Sequence, residues 1–214
     1  MSAPPPDTAA PRLTSLLQAA ERGDAAAVAA ALDEAPELLN QRGEPGPDSG
    51  LRTALHFGVH HVEVVRELLR RGADPNIRDQ GDDAMPLHFA AEKGDIEVIG
   101  LLLEHGADPV GTGTMHELDV LGWATVFGKA DPAVVELLKS QGARLTLPSA
   151  VALGDAIAVV ELAGAGGDVN LQLDAANRRR RLLHLAVVKR QPAQLAVPHG
   201  RGHHGLSAPR LQRL

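Results

Sequence analysis

The chain has 214 residues, 44% of them hydrophobic, so it is long enough to bury a core and short enough for one domain. Aromatic residues make up only 2%, which suits close-packed layers of helices better than a thick sheet core. The absence of cysteine excludes disulfides, thiolate metal sites and a thiol nucleophile. The longest apolar run, residues 25–32, is too short to span a membrane and the N-terminus lacks a secretory signal, so we expect a cytoplasmic protein.

The net charge of -6 is unevenly distributed along the chain. Residues 1–177 carry 12 basic and 27 acidic side chains, a net charge of -15. Residues 178–214 carry 9 basic side chains and no acidic one. The sequence therefore describes an acidic body followed by a basic tail.

Short helices begin after an irregular N-terminal leader. Residues 1–11 are rich in Pro and Ala without periodicity, which predicts disorder. Thr14 is predicted to cap a first helix, and Gly23-Asp24 separates it from a second helix over residues 25–32. Helices this short are not stable alone, so each must stack on a neighbour.

A longer unit recurs in the middle of the chain. Residues 85–108 read MPLHFAAEKGDIEVIGLLLEHGAD, and residues 53–74 read TALHFGVHHVEVVRELLRRGAD. Gly72 and Gly106, which lie 34 residues apart, are each expected to end a helix in the left-handed conformation. This recurrence of Leu-His-Phe openings and Gly-Ala-Asp closings resembles the ankyrin repeat family.

The resemblance implies an all-α solenoid of helix-turn-helix units with short β-hairpin fingers, containing about five to six repeats and an irregular C-terminal end. It also implies that His56 and His88 hydrogen-bond between turns and are structural. The predicted ankyrin repeat domain covers residues 12–190, and a basic, irregular tail covers residues 191–214. Its approximate repeats are 13–46, 47–79, 80–113, 114–144, 145–177 and a partial repeat, 178–190.

The later repeats depart from the pattern. In repeat four, Gly122 occupies the histidine position and the turn over residues 129–132 is two residues longer. Only four residues separate Gly142 from Leu147, so the finger of repeat five is predicted to be missing. Repeat six opens well at residues 182–188, but Pro192, Pro198 and a Gly-rich stretch follow, which predicts a broken C-terminal cap.

No phosphate-binding loop, nucleophile elbow or His-Glu-x-x-His pattern occurs, so we predict a non-catalytic protein with no metal site and no cofactor. The family resemblance instead implies that a partner protein docks on the concave side, formed by the fingers and the exposed positions of the first helices. Carried over position by position, the predicted contacts are Arg78, Gln80, Asp82, Asp83, Glu92, Lys93, Met115, His116, Trp123, Val126 and Phe127.

The aromatic residues divide into two groups. Phe57, Phe89 and Trp123 hold the same position in successive repeats, which favours the core between repeats. Phe127 aligns with Lys93, normally a solvated position, so an exposed Phe127 beside Trp123 would be a binding hot spot. The acidic body favours a partner with a basic surface.

Two alternative functions remain. The broken sixth repeat is consistent with an ankyrin segment of a larger regulatory or enzyme-associated protein. The basic tail, with its run Arg178 to Arg181, could instead bind nucleic acid or an acidic surface. Because no aromatic residue is interspersed among those basic residues, disorder or a shifted reading frame explains the tail better than a nucleic-acid platform.

Overall fold

The computed structural model describes residues 9–45 and 51–171, together with residues 182, 185 and 186. Within these residues the chain forms ten α-helices, and a π-helical turn, Trp123–Phe127, directly continues the seventh. The helices are α1 Ala9–Arg22, α2 Ala25–Glu34, α3 Ala54–Gly58, α4 Val62–Arg70, α5 Pro86–Lys93, α6 Ile96–Glu104, α7 Val120–Gly122, α8 Pro132–Ser140, α9 Leu147–Leu153 and α10 Ala156–Gly164.

The first helix is longer than the sequence predicts. It begins at Ala9, inside the segment expected to be a disordered leader. Thr14 does not cap it, because its Oγ1 donates to the Ala10 carbonyl oxygen 3.1 Å away, within the helix. Pro11 is tolerated because the first turn of a helix has no intrahelical acceptor for its N–H groups. Residues 1–8 lie outside the described part of the chain.

Each helix pair has recurrent ends. In four repeats, an aspartate precedes the second helix of the repeat and accepts a hydrogen bond from a backbone N–H group in its first turn. This satisfies an N–H group that has no partner within the helix. These N-caps are Asp24, Asp95, Asp131 and Asp155. The closing glycines adopt φ values from 86° to 103°, which confirms the predicted left-handed ends at Gly72 and Gly106 and extends them to Gly142 and Gly166.

The helices stack in two rows. Helices α1, α3, α5, α7 with its π turn, and α9 pack successively in the first row, and α2, α4 and α6 pack in the second. One buried apolar cluster runs from Leu16 to Ala143, and a second surrounds Trp123 and α9. Leu182, Leu185 and Ala186 are helical and buried in the second cluster, in the predicted opening of repeat six.

The predicted broken cap, the arginine run and the basic tail lie outside the described residues.

The fingers contain no strand within the described residues, only an isolated antiparallel bridge between Gly43 and Arg52. Neighbouring fingers are nevertheless joined: Gln80 donates its backbone N–H to Leu51, and Met115 donates to Asp82 across 2.9 Å. In repeat five α9 begins at Leu147, so the short connection after Gly142 leaves no room for a finger, as predicted.

Candidate interaction surface

Two buried histidines join a first helix to the next finger. His56 Nδ1 accepts the backbone N–H of Thr53 at 3.2 Å, and its Nε2 donates to the carbonyl oxygen of Ala84 at 3.1 Å. His88 makes the same pair of bonds, with Met85 at 3.1 Å and Gly111 at 2.8 Å. Because a carbonyl can only accept, both rings carry their proton on Nε2 and are neutral.

Desolvation by burial lowers the pKa of both His56 and His88 to about 4, although their backbone hydrogen bonds raise it. His56 Nδ1 also lies 2.8 Å from the Thr53 hydroxyl, and each ring is held at both nitrogens. Their geometry therefore supports the structural role that the resemblance implied and gives no indication of a catalytic base.

Repeat four replaces this arrangement. Asp119 stands at the N-cap of α7, and its Oδ1 accepts the backbone N–H of Gly122 at 2.6 Å. Desolvation by burial raises the pKa of Asp119, whereas that hydrogen bond lowers it. The carboxylate satisfies the free N–H group of the helix start, but it provides no link to a following finger.

Aromatic rings from repeats three and four pack edge to face. The ring centroids of Phe89 and Trp123 are 5.2 Å apart, and those of Trp123 and Phe127 are 5.3 Å apart. His116, on the finger of repeat four, lies 5.1 Å from Phe127. Trp123 is only 3% exposed, so it packs in the core, as its position equivalent to Phe57 and Phe89 predicts. Phe127 is 39% exposed.

A surface groove of about 380 Å³ lies beside these rings, and we call it the aromatic groove. His60, Glu92 and Phe127 line it from three successive repeats. Gly128 closes one side, where a Cβ would come within 2.5 Å of the Ala124 carbonyl oxygen and 2.7 Å of the Glu92 carbonyl oxygen. The complete lining is His60, Phe89, Glu92, Lys93, Phe127, Gly128 and Lys129.

The finger acids are paired with basic groups of the same chain. Arg52 contacts Asp79 at 3.0 Å and Asp82 at 3.4 Å, and its guanidinium carbon lies 4.5 Å from the centre of the Phe89 ring. His116 Nε2 lies 3.1 Å from Asp82. No sequence pattern marks Arg52 and Asp79, because their pairing depends on how one finger lies against the next.

Asp83 approaches Arg78 at 3.8 Å, and Arg78 also donates to the carbonyl oxygens of Asp83 and Thr112. The predicted contact residues therefore differ in accessibility. Gln80, Asp83, Glu92, Lys93, Met115 and Phe127 are exposed, whereas Arg78, Asp82, His116 and Val126 are half-buried. The aromatic groove brings together Glu92, Lys93 and Phe127, and His116 connects this group to the fingers.

A model of ankyrin repeats, in three copies, matches residues 60–149. Residues 60–149 of the chain are therefore ankyrin repeats. Ankyrin repeats are generally protein-interaction modules and are typically non-catalytic. Within the described residues, no helix is long and apolar enough to cross a membrane, and no group of histidines and carboxylates could hold a metal ion.

Similar ankyrin repeats occur in much longer proteins. The 2-5A-dependent ribonuclease of Mus musculus is 39% identical over 74 residues, which are 35% of this chain and 10% of that protein. The serine/threonine-protein kinase VIK of Arabidopsis thaliana is 36% identical over 107 residues, 49% of this chain and 23% of the kinase. The nuclear factor NF-kappa-B p105 subunit of Gallus gallus is 41% identical over 56 residues, which are 25% of this chain and 6% of that protein. The chain thus spans a minor part of the length of these relatives.

Proposed function

We propose that this chain is a non-catalytic protein-interaction module whose partner docks over the aromatic groove and the adjoining finger of repeat four. The observation that carries the proposal is the exposure of two apolar side chains, Phe127 at 39% in the groove and Met115 at 55% on the finger of repeat four. Trp123 and His116 hold the Phe127 ring in place, so little side-chain entropy is lost when a partner covers it. Fixed aromatic residues of this kind are typical binding hot spots.

The other predicted contacts fall into two roles in this proposal. Exposed Glu92, Lys93 and Gln80 can meet a partner directly. Asp82 and Arg78 shape the fingers through their internal bonds, so their substitution would alter the surface as well as any contact. A test based on Phe127 and Met115 is therefore cleaner than one based on the finger acids.

The test is selection from a displayed library of random peptides on the full chain and on two variants. Phe127→Ser removes the exposed ring, and Ile96→Ser is the matched control, since Ile96 is 45% exposed at the start of α6, outside the groove. We expect the selected peptides to bind wild type and Ile96→Ser equally, and Phe127→Ser about 10-fold more weakly. Equal binding to all three proteins, each verified as folded by circular dichroism, would reject this docking surface.

A further inference from the structure

The aromatic groove differs in charge from the rest of the acidic body. Along the described part of the chain, half of the twelve basic side chains in residues 1–177 form an ion pair with an acid, namely Arg52, Arg66, Arg70, Arg71, Arg78 and Lys139. Lys93 and Lys129 both line the groove, and neither forms an ion pair or a side-chain hydrogen bond with any described residue. Two ammonium groups are therefore available at one small surface.

Little negative charge opposes these two lysines. Glu92 is the one carboxylate among the groove-lining residues. Desolvation by burial raises its pKa most, and the negative charge of Asp82 raises it further. Asp82 itself is engaged by Arg52 and His116. His60 also lines the groove. Burial is the main cause that lowers its pKa, and the positive charge of Lys93 lowers it further. The groove lining thus carries two ammonium groups and one carboxylate, and we call it the cationic patch of an acidic body.

We propose that the aromatic groove binds an acidic segment of a partner protein, with an apolar or aromatic side chain against Phe89 and Phe127 and flanking carboxylates on Lys93 and Lys129. This inference rests on the proposed function and specifies the partner. It differs from the basic partner expected from the overall charge, because the finger acids are already paired within the chain.

The size and charge of the groove both fit such a segment. A volume of 380 Å³ lies at the lower end of the roughly 300–1,000 Å³ typical of ligand pockets, so it suits a side chain with its neighbours. The -15 charge of residues 1–177 repels an acidic peptide elsewhere, which confines it to the cationic patch. The chain's own basic tail, with 9 basic and no acidic residues in 178–214, has the wrong charge for this groove.

Trp123 provides a direct signal of occupancy. It is the one tryptophan of the chain, and its ring contacts both Phe89 and Phe127 at 5.2 and 5.3 Å. A peptide that packs against those two rings changes the surroundings of the indole without touching it. Peptides without tryptophan can therefore be titrated against the full chain by following its intrinsic fluorescence.

In the experiment, peptides are selected from the random library on wild type, and their affinities for wild type and for two charge variants are compared. The doubly substituted Lys93→Glu, Lys129→Glu protein removes the cationic patch. The matched control is the doubly substituted Lys139→Glu, Arg144→Glu protein, which has the same change in net charge at two residues outside the groove. We expect the selected sequences to combine an apolar residue with aspartate or glutamate and to change Trp123 fluorescence. Binding should weaken about 10-fold or more in the double variant, and change little in the control.

The outcomes separate the two proposals. Selection of basic or uncharged peptides, or binding that is insensitive to the double variant, overturns the acidic partner while the loss of binding in Phe127→Ser still supports the docking surface. If acidic peptides bind the Lys139→Glu, Arg144→Glu control as weakly as the groove variant, the effect is one of general charge, and the inference is also overturned. Failure to select any peptide that depends on Phe127 overturns both proposals.

Discussion

Phe127 and Lys93 hold equivalent positions in successive repeats and line the same groove, although the turn that follows Phe127 is two residues longer than the turn that follows Lys93. The sequence alignment predicted this placement, because a repeat puts equivalent residues on the same face. It also predicted the burial of Trp123 from the positions of Phe57 and Phe89. The ion pairs of Arg52 could not be predicted, since they join side chains across fingers that have no periodic pattern of their own.

The buried histidines make the chain sensitive to acid. Folding lowers the pKa of His56 and His88 from 6.5 to about 4, so the unfolded chain binds these protons more readily. Their contribution to stability is complete above pH 6.5 and is lost as the pH falls towards 4, with each histidine accounting for on the order of 3 kcal/mol. Urea unfolding at a series of pH values would measure this loss.

His88→Gln is expected to reduce both the stability at neutral pH and its decrease on acidification. His105→Gln is the control, since His105 lies exposed at the end of α6, where its Nδ1 hydrogen-bonds to the Leu101 carbonyl of the same helix. An unchanged pH dependence in His88→Gln would contradict the assignment of this ring as a neutral hydrogen-bonded link.

At the scale of the element, the turn after the π-helical segment brings repeat four close to the end of α5. The sequence predicted the lengthened turn, but the π-helical hydrogen bonding was not evident, since no glycine or proline pattern signals it. Here Gly128 N donates to the Trp123 carbonyl at 2.9 Å, and Ala130 N donates to Ala124 at 3.0 Å. The absence of finger strands from the described residues was likewise not predicted, because the fingers share too few backbone bonds to form a ladder.

Gly128→Ala tests this close approach. The added methyl group would meet two backbone carbonyl oxygens at 2.5 and 2.7 Å, and neither can move as a flexible side chain does. We expect a loss of about 1–3 kcal/mol in the free energy of unfolding, together with a changed Trp123 fluorescence spectrum.

The matched control is Gly100→Ala within α6, where a Cβ would meet no atom within 4 Å. That substitution should stabilise the helix by about 0.5–1 kcal/mol. The midpoint of thermal unfolding should therefore be lower than that of wild type in Gly128→Ala and higher in Gly100→Ala. Similar behaviour of both would mean that the Gly128 contact is not tight in solution.

At the scale of the whole molecule, the repeats are not joined equally. His56 and His88 tie repeats two to three and three to four, but Gly122 supplies no such bond to repeat five. Helix α10 adds to this difference, because Ile157 is 74% exposed and Val160 is 51% exposed, so it buries little apolar surface. Stability in stacked repeats depends on each interface between neighbours, so repeat five should open most readily.

Hydrogen exchange followed by mass spectrometry checks this expectation. Backbone amides in α9 and α10 should exchange faster than those in α5 and α6. As urea is added, the exchange rates in α9 and α10 should rise at lower concentrations than those in α5 and α6. Equal protection of both pairs would show that the chain opens as one cooperative unit and that the missing histidine bond has no energetic effect.

Gly122 and the missing finger of repeat five also depend on each other. A histidine restored at position 122 would find no finger carbonyl to receive its proton, and even a Cβ there lies 3.0 Å from Leu118 Cβ and 3.1 Å from Asp119 Oδ1. A finger inserted on its own after Gly142 would lack the imidazole that anchors its counterparts in repeats three and four. Neither change can be reversed alone without loss, so the two would show strongly non-additive effects in a double-mutant cycle.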